Sequence, residues 1–189
     1  MKIGVLALQG AFHEHIKMLN RLDVEAVEVR LPADLDGLDG LIIPGGESTT
    51  IGKLAVIYDL MEPLRQFAAE KAMWGTCAGM IFMAKEIGMD QPLLGVMDIV
   101  VERNAFGRQV DSFEVDLDVQ GLDDDAPFPA VFIRAPKLVD TLADTQVISA
   151  LADGTAVAAK QGNWLVTSFH PELTGDDRLH RMFIKMATA

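Results

Sequence analysis

Residues 72–88, "AMWGTCAGMIFMAKEIG", pass from a short apolar run into helix-period spacing through a cysteine framed by small residues. "AMWGT" (72–76) reads as a buried strand, and "AGMIFMAKEIG" (78–88) as a helix closed by Gly88. A strand feeding directly into a helix is half of a crossover unit, and the upstream sequence repeats it. "KIGVLAL" (2–8) is a strand, followed by an amphipathic helix with Phe12, Ile16, Leu19 and Leu22 on one side. "VEAVEVR" (24–30) and "GLIIP" (40–44) are two more strands, and "IYDLMEPLRQFAAEK" (57–71) reads as another helix. This alternation predicts an α/β fold with a largely parallel sheet and helices on both faces. Beyond Gly88 the pattern changes. "VMDIVVER", "SFEVDLDV", "AVFIRA", "TAVAAKQ" and "NWLVTSF" are strand-like with little helix between them, which predicts a mixed or antiparallel portion before a last helix at about 176–187.

The 189 residues, half of them hydrophobic, suit one domain spanning 1–189. A formal charge of −12 repels phosphate backbones and anionic lipid, so neither nucleic acid nor membrane is expected as a partner. The apolar stretch of the opening, Ile3 to Leu8, is short for a signal peptide, and no run reaches the length of a membrane span. A single cysteine excludes an internal disulfide and fits a reducing compartment, so a cytoplasmic location is expected.

Open α/β sheets bind ligands beyond the carboxyl ends of their strands. Four segments fall at such ends: Gln9-Gly10, "PGGES" (44–48), Cys77 and "FHPEL" (169–173). "GTCAG" is G-x-C-x-G, the thiol form of a nucleophile elbow, where a strained turn needs small neighbours. The turn sets Cys77 at a helix N-terminus, whose partial positive charge favours an anion. A lone cysteine is otherwise a small buried hydrophobe. His170 and Glu172 stand two residues apart, so in extended backbone both point to one side and the carboxylate can orient the imidazole. A solvated pair at a strand end would show the same spacing. His13, His15 and His180 are read as surface residues, the first two because i, i+2 positions on a helix do not share a face.

Gly45 and Gly46 offer unobstructed backbone N–H groups suited to an oxyanion hole, and Ser48 or Thr49 is the expected cap of the following helix. A P-loop is excluded, because five residues rather than four separate Gly46 from Gly52-Lys53, and Leu54 stands where Ser or Thr must hold magnesium. "DLDVQGLDDDAP" lacks the terminal glutamate of a calcium loop and reads as an acidic surface loop. Arg103 and Arg134, near strand ends, are natural partners for a substrate carboxylate, although each alone also fits a surface ion pair.

Together these features resemble the class I glutamine amidotransferases: G-x-C-x-G preceded by a P-G-G loop and followed by H-P-E. The order nucleophile, histidine, acid departs from the α/β-hydrolase order. "LALQGAFHEH", "LIIPGGESTT", "GTCAGM", "VVERNAFGRQVDSFE", "FIRAP", "AAKQG" and "SFHPELT" are similar, nearly end to end, to the glutaminase subunits of pyridoxal 5′-phosphate synthases. The resemblance implies a three-layer flavodoxin-like fold and a Cys77, His170 and Glu172 triad. It implies glutamine binding by Gly46, Glu47, Ser48, Arg103, Ile133 and Arg134, and oxyanion donors at Gly46 and Ala78. The implied reaction is hydrolysis of glutamine through a γ-glutamyl thioester, with no metal or cofactor. The implied partner is a synthase subunit that accepts the ammonia in a hetero-oligomer; with all 189 residues expected in one domain, either the acceptor is another chain or the ammonia is simply released. In that family the glutaminase is nearly idle until the synthase docks, and Gln9 with the "PGGEST" loop is where the signal is expected to arrive. A different cysteine hydrolase and a non-catalytic binding module on the same scaffold are the rival readings.

Overall fold

The computed structural model describes residues 1–103 and 112–188. The first half contains β1 (Lys2–Leu6), α1 (Phe12–Arg21), β2 (Glu25–Val29), β3 (Gly40–Ile43), α2 (Ser48–Ile57), α3 (Met61–Glu70), β4 (Ala72–Thr76), α4 (Ala78–Met83) and β5 (Ala84–Glu86). The second half contains β6 (Met97–Glu102), β7 (Ser112–Leu117), β8 (Phe128–Ile133), β9 (Lys137–Thr141), β10 (Gln146–Ala150), β11 (Ala156–Gln161), β12 (Trp164–Thr167) and α5 (Arg178–Ala187). Short 3₁₀ turns occupy Pro32–Leu35 and Pro171–Leu173.

The main sheet runs β2-β1-β3-β4-β12-β11-β9-β6-β5, with β10 paired to β11, and β7 pairs with β8 in a separate two-stranded sheet. From β2 to β12 every neighbour is parallel. From β12 through β6 the pairings are antiparallel, and β5 lies parallel to β6. The change of character expected after Gly88 is therefore present.

β4 shows why the sheet is covered on both sides. All five of its residues are buried, and alternate side chains serve opposite layers. Met73 joins a core with Leu41, Ile43, Ile51, Leu64 and Val166. Trp74 joins a second core with Ile3, Ile42, Leu19, Leu165 and Phe183. The first core carries α2, α3 and α4, and the second carries α1 and α5. Because β1, β3, β4 and β12 are mutually parallel, their carboxyl ends open on one edge of the sheet.

Two helical expectations need correction. The segment 78–88 is not one helix: α4 stops at Met83, and Ala84–Glu86 becomes an edge strand against β6. Pairing to a neighbour overrides the local helical pattern there. The expected helix at 57–71 is the tail of α2 followed by α3, separated by a turn in which Asp59 adopts φ 55°. Pro63 falls in the first turn of α3, where its missing N–H forfeits no helical bond. The strands β9 and β10 were not expected.

Candidate active site

Cys77 is the single residue between β4 and α4, with φ 49° and ψ −103°, a backbone conformation that an L-residue adopts only under constraint. Its N–H donates to the carbonyl of Thr167 at 2.8 Å, so β12 anchors the turn. The small neighbours are required by packing. A methyl on Gly79 would lie 2.0 Å from the Ile43 carbonyl oxygen, and one on Gly75 would lie 2.6 Å from the Gly79 backbone. Ala78 opens α4, so its N–H belongs to those a helix leaves without an internal acceptor. Cys77 lies within a cavity of about 470 Å³. Its Sγ is 3.9 Å from the Ile133 carbonyl oxygen.

His170 follows β12, and its backbone N–H donates to Val131 of β8 at 2.8 Å. The 3₁₀ turn that begins at Pro171 folds Glu172 back, placing Oε1 2.7 Å from His170 Nδ1. With Nδ1 committed to the carboxylate, Nε2 is left for the thiol. Burial alone would discharge this imidazole. The neighbouring Cys77 side chain and the hydrogen-bonded Glu172 carboxylate outweigh burial and push His170 up to about 10. Burial would likewise raise Glu172, but His15 and His170 hold it below the usual carboxylate range. The elbow and His170 close on Gly45, where a methyl would stand 2.3 Å from His170 Cε1 and 3.3 Å from Cys77 Cβ. The thiol and the imidazole, far apart in sequence, face the same cavity.

The loop 44–48 forms another wall. Gly46, Glu47 and Ser48 line the cavity, as do Arg103, Ile133 and Arg134, so the six expected glutamine contacts meet in one space. β8 delivers Ile133 and Arg134, and Arg134 adopts φ 42° as the chain leaves that strand. Gln9 Oε1 accepts the backbone N–H of Glu47 at 2.7 Å, and Ala11 N–H donates to the Gly45 carbonyl at 2.9 Å. The segment after β1 thus holds the loop at two points.

The helix cap differs from expectation. Glu47, not Ser48 or Thr49, caps α2, accepting from Thr49 N and Thr50 N at 3.1 and 2.7 Å. A carboxylate at this position accepts two donors at once and meets the positive end of the helix. Burial opposes the charge, but the Thr50 hydroxyl and the Thr50 and Thr49 N–H groups hold Glu47 down at about 2. Arg103 donates to Glu47 at 3.0 Å, to Thr49 Oγ1 at 3.0 Å and to Gln91 Oε1 at 2.9 Å. The ion pair considered as its alternative role is present, in the wall of the cavity. Gln91 and Thr50 were missed: Thr50 closes the quoted "LIIPGGESTT" without having been assigned a role, and no motif marks Gln91. The remainder of "RNAFGRQ", residues 104–109, lies outside the described residues.

Two histidines overturn the surface reading. His15 and His180 are fully buried, and only His13 is exposed. His15 Nε2 lies 3.4 Å from Glu172 Oε2, and His15 Nδ1 lies 3.0 Å from His180 Nε2. The sequence signal was available: position 15 lies three after Phe12 and four before Leu19, within the apolar stripe. The acidic loop is largely exposed as expected, with Asp123 paired to Lys185 and Asp124 to Arg178.

The geometry has clear relatives. The chain is 58% identical to the pyridoxal 5′-phosphate synthase subunit PdxT of Dehalococcoides mccartyi, covering 99% of this chain and 97% of that protein. It is 54% identical to PdxT of Bacillus velezensis, covering 99% and 95%. A crystal structure of a glutamine amidotransferase superposes with a TM-score of 0.93 at 52% identity, covering 99% of both chains. Residues 5–189 match the model of the SNO glutamine amidotransferase family, and the chain belongs to that family.

Proposed function

We propose that this chain is the glutaminase subunit of a pyridoxal 5′-phosphate synthase, hydrolysing L-glutamine to L-glutamate and ammonia. The supporting observation is the convergence on one cavity of Cys77, His170, the 46–48 loop and two arginines, with His170 held charged at neutral pH. The arginines Arg103 and Arg134 suit the α-carboxylate of an amino acid. His170 takes the thiol proton, Cys77 Sγ attacks the side-chain amide carbon as thiolate, and the developing oxyanion is met by the N–H groups of Gly46 and Ala78. His170 gives its proton to the departing nitrogen, the C–N bond breaks, and a γ-glutamyl thioester remains. His170 then takes a proton from water as the oxygen adds to the thioester carbon. The C–S bond breaks, and glutamate leaves with the thiolate restored. Glu172 keeps Nδ1 of His170 protonated and oriented throughout.

The relatives named as synthase subunits support a synthase chain as the acceptor of the ammonia in a hetero-oligomer. Gln9, bonded to the N–H of Glu47, is our candidate for the residue through which docking adjusts the oxyanion loop. The test is ammonia release from glutamine with and without that synthase chain. Cys77→Ala should abolish release and leave the circular dichroism spectrum unchanged; turnover retained by this variant refutes the mechanism.

A further inference from the structure

Behind the triad carboxylate lies a second polar cluster that takes no part in the hydrolysis steps. Glu172 spends Oε1 on His170, but Oε2 is buried with no hydrogen-bond partner among the described residues. His15 Nε2, from α1, is the nitrogen facing it at 3.4 Å, and Thr76 Oγ1 lies 3.3 Å from the same nitrogen. On its other side His15 meets His180 of α5, whose own Nδ1 is buried without a hydrogen-bond partner among the described residues. Trp74 packs its indole edge-on against both imidazoles, at 5.6 and 4.9 Å between ring centroids.

We propose that His15 is a positioning residue of the glutaminase, donating from Nε2–H to Glu172 Oε2, with His180 fixing the tautomer that allows it. This rests on the reading of Cys77, His170 and Glu172 as the triad. Two arguments select the same proton arrangement. If His15 carried its proton on Nδ1, its bare Nε2 would point a lone pair at an anionic oxygen. His180 would then have to accept at Nε2 and bury an Nδ1–H with no acceptor, which costs more than a bare ring nitrogen in apolar surroundings. With Nε2–H on both rings, His180 donates to His15 Nδ1 and His15 donates towards Glu172 and Thr76. The gap of 3.4 Å exceeds a made bond, and catalytic contacts of this kind shorten when substrate engages.

The charge states agree with this geometry. The charged or titratable groups bearing on His15 are Glu172, His170, His180 and its neighbour Glu14. Burial pushes His15 below the usual histidine value and outweighs the attraction of Glu172. Burial and His15 push His180 well below it. Both rings are therefore neutral near pH 7, and His15 aids Glu172 as an N–H donor rather than as a cation.

The test has two arms. Imidazole nitrogen NMR of isotope-labelled protein reads which nitrogen of His15 is protonated. Nε2–H is expected, and Nδ1–H overturns the proposal. In glutamine hydrolysis, measured with the synthase subunit present, His15→Leu should lower kcat by about ten- to a hundredfold, as for outer partners of functional histidines, with KM unchanged. His15→Gln keeps an amide donor and should recover most of that loss. Equal losses in the two variants, or a loss carried by KM, would leave His15 a packing residue and overturn the proposal. If His15→Leu fails to fold, the NMR arm and His15→Gln still decide. Wild-type protein inert towards glutamine would instead sink the glutaminase reading, while the tautomer measurement would still judge His15.

Discussion

Replacing Glu172 by glutamine keeps the shape of the side chain and removes its charge. In the native protein the carboxylate sits 2.7 Å from His170 Nδ1 and, with Cys77, raises the imidazole to about 10 against burial. A hydrogen bond to a charged group contributes about 1.5–3 kcal/mol, and ~1.4 kcal/mol corresponds to one pH unit. Losing the charge should therefore lower the His170 midpoint by about one to two pH units, with Cys77 sustaining the remainder. The amide also meets a conflict: turning its oxygen to His170 Nδ1–H aims its NH₂ at His15. Either orientation leaves a donor facing a donor, so turnover should fall steeply, by up to about 10⁴-fold, the loss seen when a triad carboxylate becomes an amide. The assay is an NMR titration of the His170 ring in both proteins, with ammonia release measured in parallel. An unmoved midpoint, or full turnover at neutral pH, would refute the electrostatic account of the triad.

Gly79→Ala sets a methyl 2.0 Å from the Ile43 carbonyl oxygen, and the urea midpoint should fall by the equivalent of about 1–3 kcal/mol, as in overpacked cores. An unchanged midpoint would mean that the elbow and β3 can part enough to admit a methyl. Glu47→Ala removes the α2 cap and should cost about 1 kcal/mol at pH 7. Because Glu47 is depressed from 4.5 to about 2, its contribution is present above 4.5 and fades as the pH falls through 2. The stability gap between variant and native protein should therefore be narrower at pH 2 than at pH 7, and equal gaps would argue against the cap. KM for glutamine should also rise, since Arg103 loses its one charged partner among the described residues and keeps uncharged ones such as Thr49 and Gln91.

Strands buried on both faces were legible because continuous apolar runs such as Gly40–Ile43 admit few other readings. β9 and β10 were not, because half of the residues of "KLVDT" and "QVISA" face solvent or a sheet margin and carry no sustained period. The end of α4 was missed for a different reason: Ala84–Glu86 is decided by Met97–Val100, a partner that local spacing cannot report. Cys77, His170 and Glu172 could be singled out because a cysteine framed by small residues and an H-P-E run are unusual neighbourhoods, and the structure brings Cys77 and His170 to one cavity with Glu172 bonded to His170. His15 was misread because its position was compared only with His13, two residues away, and not with Phe12 and Leu19, whose stripe it shares. Its partners, Glu172 and His180, come from the far end of the chain.

At Gly75 and Gly79 the obstacles to a side chain are main-chain atoms of the elbow and of β3. Trimming a neighbouring residue cannot clear main chain out of the way, so suppressor mutations have nothing to act on. A library randomised at these two codons should return glycine alone. Attempts to redirect the enzyme to other amides must instead draw their diversity from Ile81, Ile133 and Leu173, apolar residues that line the same space.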